Sequence, residues 1–260
     1  MKRSLIKSIP ERLPDEIESF ISSYPIYDSS CSPEARVYFI ERDGGYYLKI
    51  SERGTLEREA KMNGYFHSRG LGVRVMSYLS EERDYMLTER AEGEDLTHEL
   101  YLADPKRLAI SMGELLRSLH ETDYVGCPII RTPEYLETVE RNYKKGYFDL
   151  SLFGDKASFK SAEEAYRFVS ENAHVLRADT LIHGDYCLPN ILFEDWKFSK
   201  FIDLGGGGVG DRHIDLFWGA WTLNFNLKTD KFRDIFFDAY GRDVIDDLAL
   251  RVIEAAEVFG

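Results

Sequence analysis

Cysteine is scarce in this chain. Three occur in 260 residues, Cys31, Cys127 and Cys187. An odd count with no metal-ligand spacing such as C-x-x-C excludes a disulfide framework and a zinc knuckle, and fits a reducing cytoplasm. Cationic side chains are also in deficit. The 33 Lys and Arg stand against 46 Asp and Glu, a formal charge of −13. A surface so acidic repels phosphate backbones and anionic lipid, which argues against nucleic acid and membrane partners; it would attract a cation. No run approaches 18 apolar residues, so no bilayer-spanning helix is predicted. The start has Lys2 and Arg3 but no apolar h-region, since Pro10, Glu11 and Pro14 interrupt it, so no signal peptide is predicted. Internal repeats are missing too, which excludes a solenoid.

What is present is a change of pattern along the chain. Val37–Ile40 and Tyr46–Ile50 flank Asp43-Gly44-Gly45, a hairpin signal. A helix is predicted from about Leu56 to Ser68, ending near Gly70 and Gly72, with short apolar runs after it at Val73–Leu79 and Tyr85–Leu87. The order β-β-α-β-β gives an antiparallel sheet with one helix. Beyond Ala91-Glu92-Gly93 the pattern turns helical. Leu108, Met112, Leu115, Leu116 and Leu119 make a core-facing stripe, and helices are predicted over 162–175, 211–225, 231–240 and 244–258. Short strands at 180–182, 191–193 and 200–202 interrupt them. The fold class is therefore α+β, with a strand-rich lobe over 1–91 and a larger, mainly helical lobe over 92–260. A ligand is expected in the cleft that such lobes leave.

The chemistry concentrates in His183-Gly184-Asp185-Tyr186-Cys187-Leu188-Pro189-Asn190 and, 18 residues after Asp185, in Asp203-Leu204-Gly205. Each motif alone reads as a turn. Together they make the layout of phosphoryl transfer: an Asp, an Asn five positions on, and an Asp-x-Gly behind the next apolar strand. The loose transition state of that reaction leaves the protein to position groups and neutralise charge. One carboxylate must hold the attacking hydroxyl and accept its proton, the role of Asp185. An amide oxygen and a second carboxylate, Asn190 and Asp203, must hold magnesium, which favours hard oxygen ligands. His183 reads as structural and Cys187 as a packing residue.

The first lobe should supply a cation for the phosphates. Strand alternation puts Tyr47 and Lys49 on one face, so Lys49 can reach phosphates while Tyr47 offers a ring to adenine. On the following helix Glu59 shares a face with Met62 and Phe66. It is carried inward with them, and an inward carboxylate needs a cation, for which Lys49 is placed. Glu57 and Lys61 read as an exposed i,i+4 pair. Gly205–Gly210 also satisfies G-x-G-x-x-G, the turn of a dinucleotide fold, but no βαβ alternation precedes it.

These residues resemble the aminoglycoside 3'-phosphotransferase family. The likeness is carried by His183–Phe193, Phe201–Asp215, Ser32–Tyr38, Tyr47–Lys49, Glu57–Glu59, Met86–Gly93 and Leu119-His120, and runs from about residue 24 to the C-terminus. It implies a two-lobe protein-kinase-like fold and an enzyme that uses ATP, or GTP in its place, with Mg. The acceptor would be a hydroxylated small molecule, cationic in the aminoglycoside case, and the chain a monomer or homodimer in the cytoplasm. It further implies Ser32 in the loop over the phosphates, Tyr47 against adenine, and the Glu89 and Ala91 backbone at the base. Glu257, Gly260 and Asp155 would face the substrate. Choline, homoserine and macrolide kinases share the catalytic motifs, so another acceptor remains the alternative, and a nucleotide-binding protein without turnover is a third reading.

Several positions depart from the family pattern. Gly206 stands where the family has arginine after Asp-x-Gly. Tyr147–Phe159 offers only Asp149 and Asp155 where the substrate loop is rich in acids, and Trp221–Asn226 replaces a second acidic stretch. Exchanging acids for Trp221 and Phe225 favours a less charged or more apolar acceptor than a polycation.

Overall fold

The computed structural model describes residues 3–31, 35–150 and 158–260. By packing, the chain divides into two units. The first holds the described residues up to Gly93 together with Ser199–Gly205, and the second holds Glu94–Phe198 and Gly206–Gly260.

The first unit is built on six antiparallel strands: β1 (Ser4–Ile6), β2 (Ile26–Asp28), β3 (Ala35–Ile40), β4 (Tyr46–Glu52), β5 (Val75–Ser80) and β6 (Arg83–Glu89), in the order β1-β2-β3-β4-β6-β5. The β3–β4 turn falls on the expected Asp43-Gly44-Gly45, all three at positive φ, and sets Val37 opposite Lys49. Alternation then sorts the faces. Leu48 and Ile50 are buried with Tyr38, Ile40, Tyr85 and Leu87 under helix α1 (Asp15–Ile21), which contributes Ile17 and Ile21. Removing each such aliphatic side chain from water contributes about 1.5–3 kcal/mol. β1, α1 and β2 had no expected counterpart, so this unit carries two helices rather than one. Tyr47 and Lys49 face the other way, on the side of helix α2 (Glu57–Ser68), where Met62 and Phe66 are fully buried. Near the end of strand β10 (Lys197–Phe201) the chain rejoins this unit: Phe201 N–H donates to Leu71 O at 2.8 Å, and its ring meets Phe66 edge-on.

The second unit is mainly helical: α3 (Glu99–Leu102), α4 (Pro105–His120), α5 (Arg131–Lys145), α6 (Ala162–Asn172), α7 (Arg212–Leu227), α8 (Arg233–Tyr240) and α9 (Asp247–Ala256). Their starts are legible in the caps. Asp104, Ser161, Asp211 and Asp246 each accept a backbone N–H of the first turn, and Pro105 follows its cap where its missing N–H is harmless. Two small antiparallel ladders complete it. β7 (Glu94–Asp95) pairs with β9 (Ile191–Glu194), and β8 (Thr180–Ile182) pairs with β11 (Gly208–Gly210). That second ladder removes the dinucleotide reading, because the glycines run into an antiparallel strand instead of turning from a strand into a helix. Among the described residues no helix is long and apolar enough to cross a membrane.

Candidate active site

In the first unit the expected ion pair forms. Lys49 Nζ lies 2.7 Å from Glu59 Oε2 and 2.9 Å from Asp203 Oδ1. Burial alone would lower the Lys49 ammonium, but the Glu59 and Asp203 carboxylates outweigh it and hold it above the ordinary lysine value. Burial pushes the Glu59 carboxyl up, and Lys49 pulls it back part of the way. Asp203 sits at φ 57°, in the left-handed region, while its side chain stays half exposed. Glu57 and Lys61 form the exposed i,i+4 pair at 2.7 Å.

Two further expected residues of this unit have partners of their own. Tyr47 OH accepts from Arg3 Nη2 at 2.5 Å, and the Arg3 guanidinium lies over the neighbouring Phe39 ring. Glu89 closes β6, its N–H donating to Arg74 O. Ala91 follows that strand, and its N–H meets no acceptor among the described residues. Ser32 and Asp155 lie outside the described residues.

In the second unit Asp185 and Asn190 are held together. Asn190 Nδ2 donates to Asp185 Oδ2 at 2.8 Å and to Asp185 O at 3.1 Å. That use of the amide nitrogen leaves Asn190 Oδ1, which has no hydrogen-bond partner among the described residues. His183 is fully buried and accepts from the Asp185 N–H through Nδ1, a structural role. Cys187 is buried, and burial drives its thiol far above the ordinary value, which leaves it inert.

The loop rests on a carboxylate that sequence reasoning did not single out. Asp215, on α7 and 0% exposed, accepts from His183 N–H through Oδ2 and from Gly184 N–H through Oδ1, both at 2.7 Å. His120 Nε2 lies 3.1 Å from the same Oδ2, and His120 Nδ1 lies 2.8 Å from Tyr240 OH. Burial depresses His120 below the usual histidine range despite Asp215. The neutral ring therefore donates from Nε2 and accepts from Tyr240 at Nδ1. Gly184, at φ 84°, admits no side chain: a Cβ there would fall 1.9 Å from Gly206 O. The reverse contact is tight as well, 2.9 Å from a Cβ on Gly206 to Gly184. The glycine at position 206 thus serves a backbone-to-backbone approach of the two loops.

At the C-terminus Glu257 is 5% exposed, and its Oε1 accepts from Tyr135 OH at 2.8 Å and Trp218 Nε1 at 3.2 Å. Burial raises its carboxyl to about 7, with Asp185 adding to the rise. Gly260 is exposed. Expected as substrate-facing, Glu257 makes its described contacts inside the unit.

Each unit by itself offers an oxygen that suits a magnesium ion brought in with phosphates. Among the described residues no cluster of three or more His, Cys, Asp or Glu could hold a metal on its own. Magnesium that arrives with a nucleotide needs only one or two protein oxygens, and Asn190 Oδ1 and the Asp203 carboxylate are oxygens of the right hardness.

A model of the phosphotransferase enzyme family matches residues 33–251. The chain belongs to that family. This phosphotransferase is 50% identical over 252 residues to a probable aminoglycoside 3'-phosphotransferase of Lactococcus lactis subsp. lactis (strain IL1403), covering 96% of each chain. It is 35% identical over 188 residues to an aminoglycoside 3'-phosphotransferase of Niallia circulans, covering 70% of each. Its fold is similar to the crystal structure of aminoglycoside-3'-phosphotransferase of type VIII, with a TM-score of 0.76 at 22% identity over 94% of this chain and 97% of that one. It is also similar to the aminoglycoside phosphotransferase APH(3'')-Id from Streptomyces rimosus in complex with ADP and streptomycin, with a TM-score of 0.73 at 19% identity over 94% and 95%. The phosphotransferase thus has the α+β, protein-kinase-like architecture that its sequence implied.

Proposed function

We propose that this phosphotransferase moves the γ-phosphate of ATP onto a hydroxyl of an aminoglycoside, of the 3'-hydroxyl type. The observation that carries the reading is the Asp185–Asn190 pair. Asp185 Oδ2 accepts from the Asn190 amide, which fixes the carboxylate that an acceptor hydroxyl would meet. In the reaction the acceptor oxygen bonds to phosphorus, the bond to the ADP oxygen breaks, and Asp185 accepts the hydroxyl proton. Lys49, held by Glu59, exchanges its contact with Asp203 for the α- and β-phosphates. Asn190 Oδ1 and the Asp203 carboxylate would each supply an oxygen to magnesium, which when bound neutralises phosphate charge. Tyr47 and the Glu89 and Ala91 backbone receive the base, and the loop containing Ser32 covers the phosphates. Glu257, Gly260 and Asp155 serve the acceptor end. The aminoglycoside assignment is supported by the names of the relatives and by the acidic charge of the chain, which favours a polycation.

The test is ADP release coupled to an optical assay, with kanamycin-type drugs and streptomycin beside choline, homoserine and a macrolide. Release stimulated by kanamycin, with phosphate located on the 3'-oxygen by NMR, is the expected result. Release only with a non-aminoglycoside acceptor would replace the substrate, and no release with any hydroxyl compound would reject the reaction.

A further inference from the structure

Helix α7 carries Trp218, Trp221 and Phe225 along one stripe. The Trp221 and Phe225 rings are stacked, 4.9 Å apart and 11° from parallel, and Trp218 meets Trp221 edge-on at 5.3 Å. A stripe at this spacing is ordinarily core, yet Phe225 is 53% exposed. Each end of the stripe has a polar partner. Trp218 Nε1 donates to Glu257, and Lys228 Nζ lies 4.2 Å from the Phe225 centroid.

The adjoining face of the same helix supports the loop that bears Asp185. Thr222 Oγ1 accepts from Leu188 N–H at 3.3 Å, and Gly219 lets the Tyr186 ring approach, where a Cβ would lie 3.2 Å from Cδ1. Trp221 is one residue, about 100° of helix, from Thr222. The aromatic stripe therefore lies on the helix that supports the loop bearing Asp185.

We infer that Trp218, Trp221 and Phe225 form a stacking platform for one ring of the phosphate acceptor, a saturated ring carrying amines as well as hydroxyls. This inference rests on the proposed aminoglycoside reading and names the surface that selects the acceptor. A saturated ring presents C–H groups that pack on aromatic faces, and rigid aromatic side chains give contact area at little conformational cost. A ring ammonium adds attraction to the aromatic quadrupole. Lys228 already displays that geometry on Phe225, and a ligand ammonium takes its place as Lys228 swings into solvent. Such a platform replaces carboxylates as the means of holding an aminosugar, and it discriminates against acceptors that lack a ring.

Calorimetric titration of the full chain with kanamycin tests this without requiring turnover. Phe225 is half exposed, so its replacement leaves the core intact. Phe225→Ala should raise the Kd about 3- to 30-fold, the range of one cation–π contact. Phe225→Tyr should restore it, and Lys228→Gln, which removes the competing cation, should lower it. A Kd unchanged by Phe225→Ala, or a wild type that binds no kanamycin while phosphorylating a ringless acceptor, overturns the platform. Kanamycin binding that depends on Phe225 without phosphate transfer upholds the platform and rejects the transfer reading instead.

Discussion

Lys49 and Glu59 show how one pair can serve both stability and chemistry. Glu59 is carried inward by α2, and its carboxylate is tolerable there because Lys49 meets it at 2.7 Å. Removing one partner of a buried pair leaves the other uncompensated, whereas replacing both by apolar groups can be neutral. Lys49→Ala should therefore cost about 3 kcal/mol in denaturant unfolding and also raise the KM for ATP. The double change Lys49→Met with Glu59→Met should recover the stability but not the ATP affinity. Recovery of both would show that the pair is structural only. Asp185→Asn is expected to leave the melting temperature and nucleotide binding in place while lowering kcat about 10²- to 10⁴-fold, the usual worth of a positioned base. Undiminished transfer would remove Asp185 from that role. Glu257 gives a prediction in pH. Its carboxyl is raised by burial to about 7, so the folded chain favours the protonated form, and stability present below the ordinary carboxylate range is lost as pH rises through 7. Glu257→Gln can still accept from Tyr135 and Trp218 without ever bearing a charge. The melting-temperature gap between this variant and wild type should widen in its favour from pH 5 to pH 8, and a constant gap would show that Glu257 does not titrate there.

At the scale of elements, the placement of Glu59 depends on a residue far from it in sequence. Helix α2 has no side-chain cap at Leu56, and the Leu56 N–H instead donates to Asp84 Oδ2 on β6 at 2.8 Å. The same carboxylate accepts from Tyr78 OH and Ser80 Oγ, and these bonds hold it below the usual carboxylate range against the effect of burial. Asp84→Ala would leave the buried Leu56 N–H without an acceptor, at about 1–3 kcal/mol. It should speed amide exchange in the first turn of α2 before any other helix, and uniform exchange would mean that Asp84 does not anchor the helix. This anchor illustrates what the sequence could not show. Lys49 and Glu59 were legible because strand and helix periods aim them inward beside Tyr47, Met62 and Phe66. Asp185, Asn190 and Asp203 were legible because short-range spacing encodes their layout. Asp84 and Asp215 follow no such pattern: the backbone donors they anchor, Leu56 N–H and Gly184 N–H, lie 28 and 31 residues away, so each looks like any acid in a strand or helix. Leu119-His120 was visible as a motif, but the link to Asp215 spans 95 residues. The return of Ser199–Gly205 to the first unit was likewise unreadable, because it depends on the Phe201–Leu71 bond rather than on local propensity.

For the molecule as a whole, the charge of −13 acts on its two proposed substrates with opposite sign. A polycationic aminoglycoside is drawn toward an acidic surface, and the triphosphate is repelled except where Lys49 and magnesium compensate. Salt shortens the reach of both effects, from a Debye length of about 30 Å at 0.01 M to about 8 Å at 0.15 M. Raising sodium chloride across that range should increase the KM for kanamycin while leaving the KM for MgATP flat or lowering it. A neutral acceptor that is phosphorylated should show no such increase. The aromatic platform sharpens the expectation, since stacking is short-ranged and survives screening. The acceptor KM should rise to a plateau set by Trp221 and Phe225 rather than climb without limit, and Phe225→Ala should raise that plateau while leaving the salt-dependent part unchanged. Identical salt dependence for both substrates would mean that the surface charge plays no part in choosing the acceptor, and would leave the selection to contacts at the site itself.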